Sequence, residues 1–521
     1  MYAGIGRSGL LLGCTGQVRS IAGLVSPRLS PTISETLSGR SVLQASLLLY
    51  YVHTQDCIDS MADITTPRLP PELLDNIVDE LQNLRLGAPD AITRRKYWDA
   101  LRTCILVSKE FRYRSLKHVY ECVCIYNAQF GRGVARQVSI VASELRQIMD
   151  PPPHFALGGV GSYITTVSLS FAIYALQHSV HASEQVKEFL DDENLLFVLR
   201  KLHEQVHGIT RFALNLSVGH YFTPRGVSWS DLSSSFQKIF CSLANSPHLR
   251  SLEVKNVNHI PLSLLRNRHL HSLYLQQNIY DTTGAAPPPL PSHASLVAHP
   301  HTTSLRKFWT DHSYRYSDII PLALADSLEC LEATNTVITH VLETWDIVKM
   351  ATQSLRCLKI VYSGGVSPLT LFDIGQIPHL EKFSHVHNGI FRYSRPNYPG
   401  LVTLVKLLET STPMCHLHTI NLCFQFEEIG PQEDFIDPKQ EPQWQLLDNI
   451  LSGPMYPSLR EVTIKISVNA IVAYSPDFNS ERFMSITATP LQDSFPKLIS
   501  SEHISFDLKL DLSIDPQDFP I

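Results

Sequence analysis

Pro247-His248-Leu249-Arg250-Ser251-Leu252-Glu253-Val254 sets the pattern for most of this chain. The proline stops a helix and turns the backbone toward extended conformation. Leu249 is followed three and five places later by Leu252 and Val254. The last two, being two apart, point to one face of a strand, while Leu249 tucks in from the preceding turn. The same spacing returns at Ile164/Val167/Leu169, Ile209/Phe212/Leu214, Leu270/Leu273/Leu275, Leu328/Leu331/Ala333, Leu355/Leu358/Ile360, Leu417/Ile420/Leu422 and Leu459/Val462/Ile464. So many returns of one spacing predict a repeated strand.

Between the triplets lie helical stretches such as Leu232-Phe236-Ile239-Phe240-Leu243 and Trp444-Leu447-Ile450-Leu451, which would cover one side of the strands. Pro378-His379-Leu380 and Pro457-Ser458-Leu459 repeat the proline stop. Strand after helix in one direction predicts a curved parallel sheet in which each unit buries its core by stacking on the next, the logic of a leucine-rich repeat. The starts are unevenly spaced, and the asparagine that usually follows the triplet stands in register only at Asn278. The expectation for residues 155–515 is therefore an irregular, degenerate array with a concave strand face. A three-layer α/β domain fits the same alternation of strand and helix.

Upstream, Leu69-Pro70-Pro71-Glu72-Leu73-Leu74-Asp75-Asn76-Ile77-Val78-Asp79-Glu80-Leu81 places apolar residues at 73, 74, 77, 78, 81 and 84, one face of a helix. Proline at the start and Glu72 in the first turn suit a helix N-terminus. Gly87-Ala88-Pro89-Asp90 breaks the pattern, and a second helix runs from about Arg94 through Tyr97, Trp98, Leu101 and Ile105. After Val107-Ser108-Lys109-Glu110-Phe111 a third short helix carries Leu116 and Val119. Three small helices bury little by themselves, so such a module needs a neighbour or partner.

These residues resemble the F-box, particularly the F-box-like proteins of mushroom-forming fungi. The likeness rests on the order Leu69-Pro70-x-Glu72-Leu73, Ile77, a small residue at Cys104, then Val107-Ser108-Lys109-x-Phe111, where the family usually has Val-Cys-Lys/Arg-x-Trp. Ser115-Leu116-Lys117-His118-Val119-Tyr120 is similar to the family's exit into a first strand. The connection between the first two helices is longer than in the shortest F-boxes, and phenylalanine replaces tryptophan. The resemblance implies that Leu69, Pro70, Glu72, Leu73, Ile77, Cys104, Val107, Lys109 and Phe111 bind, or support the binding of, the Skp-type adaptor of a cullin-based ubiquitin ligase. An unknown protein substrate would then meet the repeats. Periodicity alone also fits helices that simply pack on the rest of the protein, and a diverged F-box on a non-ligase scaffold is the second reading.

The expected fold is thus α/β: a three-helix F-box module over 63–125 followed by an irregular leucine-rich-repeat-like solenoid with a curved parallel sheet. The 521 residues, 44% apolar and 18% charged, suffice for a sizeable core. A net charge of −6 without dense basic runs argues against nucleic acid as a partner. Ten scattered cysteines are too sparse for a disulfide framework and suit a reducing compartment, cytoplasm or nucleus; Cys122 and Cys124 read as small strand or core residues. No stretch of 18 apolar residues suggests a membrane span.

Residues 1–62 are expected to be a disordered leader. Arg7, Arg19, Arg28 and Arg40 among serines give them some likeness to a mitochondrial transit peptide, and Met61 would serve as an alternative start. Pro151-Pro152-Pro153 and Pro287-Pro288-Pro289-Leu290-Pro291 read as loops or spacers. The motifs of nucleotide-binding loops, nucleophile elbows and zinc proteases are missing, so neither an enzyme nor a cofactor is expected. His385/His387 and His416/His418 are pairs on a strand face that lack a third ligand, and read as surface or satisfied core histidines rather than a metal site.

Overall fold

The structure, a computed structural model, describes residues 70–88, 90–127, 134–150, 160–174, 181–205, 207–220, 223–265, 267–276, 305–311, 327–363, 373–390, 399–427, 442–471, 481 and 488–515. Leu69, Met61, Asn278, the two proline stretches and the leader lie outside them.

Three helices open the described chain. Helix α1 (Pro71–Gly87) starts on a proline whose missing N–H costs nothing in the first turn, with Glu72 beside it. Helix α2 (Ala91–Val107) begins at Asp90, whose carboxylate accepts the Thr93 N–H at 2.8 Å and the Thr93 hydroxyl at 2.7 Å. Helix α3 (Lys109–Tyr120) begins at Ser108, whose hydroxyl accepts the Phe111 N–H at 3.3 Å. Their interface is a small core of its own, Leu74, Val78, Leu101, Cys104 and Phe111, flanked by Ile77, Leu81, Val107 and Val119.

Strand β1 (Cys122–Asn127) follows almost without a linker, then helix α4 (Val134–Met149). From there strands and helices alternate. β2 (Thr166–Tyr174), α5 (His181–Leu190), α6 (Glu193–Glu204), β3 (Arg211–His220) and β4 (Thr223–Ser228) come first. α7 (Ser234–Ala244), β5 (Ser251–Lys255), β6 (Val257–Asn258), α8 (Leu262–Leu265) and β7 (Ser272–Gln276) follow. Next are β8 (Lys307–Thr310), β9 (Cys330–Asn335), α9 (Ile338–Met350), β10 (Cys357–Ser363), β11 (Lys382–Ile390) and α10 (Pro399–Leu408). β12 (Thr419–Glu427), α11 (Gln443–Leu451), β13 (Glu461–Ile471), α12 (Pro496–Ile499) and β14 (Ser505–Asp515) close the chain.

The sheet runs β1-β2-β3-β5-β7-β8-β9-β10-β11-β12-β13-β14, with every neighbouring pair parallel; β4 turns back antiparallel on β3 and carries β6. Strand order therefore equals chain order, with no point where it reverses. Register lines up the second triplet residues as a continuous buried row: Val167, Phe212, Leu252, Leu273, Phe308, Leu331, Leu358, Phe383, Ile420, Val462. The intervening residues are half-exposed or exposed, so the helices cover one face only and the other is open. This is an α/β protein with a large open parallel sheet, and a three-layer arrangement does not describe it.

All eight sequence triplets are buried. Two more strands lie in the widest gaps between them. Leu305/Phe308/Thr310 and Leu380/Phe383/His385 keep the spacing but end on a polar residue, which hides them from a search for apolar triplets. Gly208, in the turn before Ile209, sits at φ +57°, and a Cβ there would lie 2.7 Å from the His248 ring. Among the described residues no helix is long and apolar enough to cross a membrane.

Candidate interaction surfaces

Helices α1 and α2, joined across residues 88–90 and packed side by side, form an antiparallel hairpin. The start of α1 and the end of α2 therefore share one end of it. Leu73 is 48% exposed and Leu106 75% exposed there, with half-buried Ile77 on α1 and Val107 on α2 and exposed Pro70 and Glu72 at the start of α1. Leu86, Ile92 and Tyr113 add to the apolar exposure of the module. Large apolar side chains left in water on so small a unit mark an interaction surface.

The predicted positions divide by burial. Cys104 and Phe111, 3% and 2% exposed, lie inside the module and can only support a binding face from beneath. Pro70, Glu72 and Leu73 are on the surface. Lys109 is placed in the first turn of α3. Leu106 was missed by sequence reasoning, although the run Ile105-Leu106-Val107 is broader than one helical face and signals it.

An ion cluster ties α3 to α1. Arg114 forks onto Asp79, with Nη2–Oδ2 at 2.6 Å and Nε–Oδ1 at 3.1 Å, and His118 Nε2 meets Asp79 Oδ1 at 2.7 Å. The Arg114 guanidinium, more than any other neighbour, holds the Asp79 carboxyl below its usual range. A depressed carboxylate stabilises the fold above its ordinary pKa, and that contribution disappears as pH falls through the lower folded value. Asp79→Asn is expected to cost about 1 kcal/mol or less, since solvent screens the pair. Hydrogen exchange in α3 should quicken at pH 7 and be indifferent to the change in strong acid; unaltered exchange at pH 7 would show the cluster to be idle.

Backbone hydrogen bonds and a ring contact join the module to the sheet. The Glu121 carbonyl, directly after α3, accepts the N–H groups of Thr165 and Thr166 at 3.0 and 2.9 Å. Tyr113 meets Tyr163 edge-on, ring centroids 5.8 Å apart.

No family model matches the chain, and no curated protein is similar to it. Function must therefore be argued from these surfaces alone.

The second surface is the open strand face. A groove crosses strands β7 to β12 there, floored by Tyr274, Trp309, Cys330, Cys357, Lys359 and Lys382. Cys330 and Cys357 are register partners on neighbouring strands, both half-exposed. A hydrogen bond between the two thiols favours ionisation of one of them, bringing Cys357 down to about 7, and opposes ionisation of both, which holds Cys330 up. Cys122 and Cys124 on β1 repeat the relation, their sulfurs 3.5 Å apart and exposed rather than in a core, with Cys124 also near 7. Burial raises the thiols of Cys241 and Cys423. Thiolate is the nucleophile, so limited iodoacetamide at pH 7 should label the Cys122/Cys124 and Cys330/Cys357 pairs ahead of Cys241 and Cys423 by peptide mass spectrometry. Equal labelling would contradict the thiol-pair geometry.

The histidine pairs play no part in either surface. His385 and His387 share a face, ring centroids 6.4 Å apart, but it is the interior one. Among the described residues neither ring nitrogen of His385 finds a hydrogen-bond partner, so it is not the satisfied core histidine expected from the sequence. His416 and His418 are exposed, and among the described residues no group of three or more His, Cys, Asp or Glu is placed to hold a metal.

Proposed function

We propose that this chain is a substrate-recruiting adaptor of a cullin-based, SCF-type ubiquitin ligase. Its F-box-like module binds a Skp-type adaptor, and its leucine-rich-repeat-like solenoid holds a protein substrate on the open strand face. The observation that carries the proposal is the exposed apolar end of the α1–α2 hairpin, Leu73 and Leu106 with Ile77 and Val107 beside them. It coincides with the segment whose residue order resembles the F-box. Among the described residues the module's buried core comes from its own three helices and leaves Leu73 and Leu106 out, so these two side chains are free to meet a partner.

The mechanism is proximity. A substrate lysine held near a charged conjugating enzyme reacts at raised effective concentration, and no catalytic side chain of this chain takes part. The short joint at Glu121 suits that role, since a floppy connection would dilute the concentration it creates. A non-ligase scaffold with a diverged F-box is the second reading, favoured by phenylalanine at position 111 where the family carries tryptophan. Purification of the whole chain from its own cells discriminates the two: an adaptor brings down a Skp-type subunit and a cullin, and a scaffold brings down neither.

A further inference from the structure

The open strand face has one place where charge and aromatic character concentrate. Register puts Lys307, Cys330, Cys357 and Lys382 in one outward row across β8, β9, β10 and β11. The next row is Tyr274, Trp309, Glu332, Lys359, Ser384 and Asn421. All ten residues line the same groove.

Its cations are not equivalent. Lys359 is neutralised by Glu332, Nζ–Oε1 2.7 Å, and Lys255 at the margin is neutralised by Glu253 at 2.8 Å. Lys307 and Lys382 are exposed and form no ion pair among the described residues. The groove thus carries two lysines with no carboxylate partner among the described residues, offset only in part by the Cys357 thiol between them, on a chain whose net charge is −6. Three strand spacings separate the two lysines, about 14 Å. An extended peptide rises about 3.3 Å per residue, so side chains four residues apart match that span.

At the Lys307 end of that span an aromatic pair limits what can bind. Tyr274 and Trp309 stack face to face, centroids 3.8 Å apart and 8° from parallel, and Lys255 covers the other face of Tyr274 at 4.4 Å. Three of the four ring faces are thus taken up by the stack and its lysine. A nucleic-acid platform needs free faces for successive bases. What stacked rings offer outward is their edges, the positive rim of the quadrupole, and that rim favours a carboxylate or an apolar side chain lying across it.

We infer that this groove is a docking site for an extended acidic segment of a protein partner, with two carboxylates about four residues apart meeting Lys307 and Lys382, an apolar residue between them lying on the half-buried Cys330 and Cys357, and the carboxylate end at Lys307 lying beside Trp309. The inference rests on the adaptor proposal and names the chemistry of the substrate segment. Because the whole chain is acidic, the attraction is local and short-ranged, and salt weakens it.

The test uses the full chain and fluorescein-labelled synthetic peptides with two glutamates four residues apart around a leucine. Controls carry glutamine or lysine in place of the glutamates, and a single-stranded oligonucleotide is the nucleic-acid control. Fluorescence anisotropy is expected to show the glutamate peptide bound at least about tenfold more tightly than the glutamine one. Lys307→Glu with Lys382→Glu should abolish that preference, and Trp309→Ala should weaken binding of every peptide. Lys307→Gln with Lys382→Gln is the milder pair if charge reversal disturbs the fold, and should remove the preference alike. No binding, equal binding of all peptides, tighter binding of the oligonucleotide, or a preference that survives the lysine changes would each overturn the inference. Association of the same preparations with a Skp-type adaptor is measured alongside. Its loss with the glutamate preference intact would refute the ligase reading and leave the groove; the converse would refute the groove alone.

Discussion

Trp444→Ala is expected to lower stability by about 3–5 kcal/mol and to unravel the end of the sheet before the rest. Removing a buried tryptophan costs that much through lost transfer energy and the cavity left behind. Trp444 is 2% exposed, and it links a chain of rings from β12 to β14: Phe424 at 5.4 Å, Phe495 at 5.9 Å, and Phe506 a further 5.2 Å beyond Phe495. One turn further along α11, the buried Asp448 carboxylate accepts the N–H groups of Lys497 and Leu498 at 3.1 and 2.9 Å, fixing α12 in place. Tilting α11 would loosen both ties. Because from β7 onward each strand meets only its chain neighbours, damage should stay local. Hydrogen exchange should then rise in β12, β13 and β14 while β1, β2 and β3 keep their protection. Trp444→Phe, which keeps most of the apolar contact and removes an indole N–H that has no acceptor among the described residues, should be far milder. Uniform loss of protection along the whole chain would mean one cooperative core instead.

His385→Leu should stabilise the protein, by about 1–3 kcal/mol at neutral pH. The ring sits in the interior row between Ile360 and Leu422, fully buried, and among the described residues neither nitrogen is hydrogen-bonded. An unpaired buried polar group carries a cost of that size, and leucine fills a similar volume without it. Burial, helped by neighbouring His387, brings the pKa of His385 down to about 3 from its ordinary 6.5. In the unfolded chain the same imidazole takes up a proton as pH drops below about 6.5. Between those limits the unfolded state binds the extra proton, so stability is full above the ordinary pKa and falls with pH, by up to about 1.4 kcal/mol per unit. His387, also lowered by burial, adds to the slope. Melting temperatures at pH 7.5 and 5 should therefore fall apart more for the wild type than for His385→Leu. Parallel losses would show that the folded protein admits the proton.

Much of the sheet could be read from leucine spacing because a strand that buries one face must repeat its apolar residues two apart, and all eight triplets took that role. Strands β8 and β11 escaped since Thr310 and His385 fill the third position, a place where register with apolar neighbours, not local chemistry, dictates burial. Sequence alone also left open whether helices covered one face or two; the alternating burial along the folded strands decides it. In the module, periodicity found α1 to α3 but could not rank their residues. Phe111 and Leu106 are both apolar, five apart in sequence, yet one is inside and the other in water. The groove was invisible because Lys307 and Lys382 are far apart in the chain and meet only through the parallel register.

The adaptor claim is tested most directly by titrating the purified full chain with a purified Skp-type adaptor, beside a variant carrying Leu73→Asp and Leu106→Asp. Both positions are exposed, so the variant should keep its circular dichroism and melting temperature. Binding of the wild type that weakens by about a hundredfold or more in the variant is the predicted result, since charge placed at two apolar anchors removes the centre of the interface. A folded wild type that does not bind the adaptor, or a variant that binds it equally well, would contradict the account.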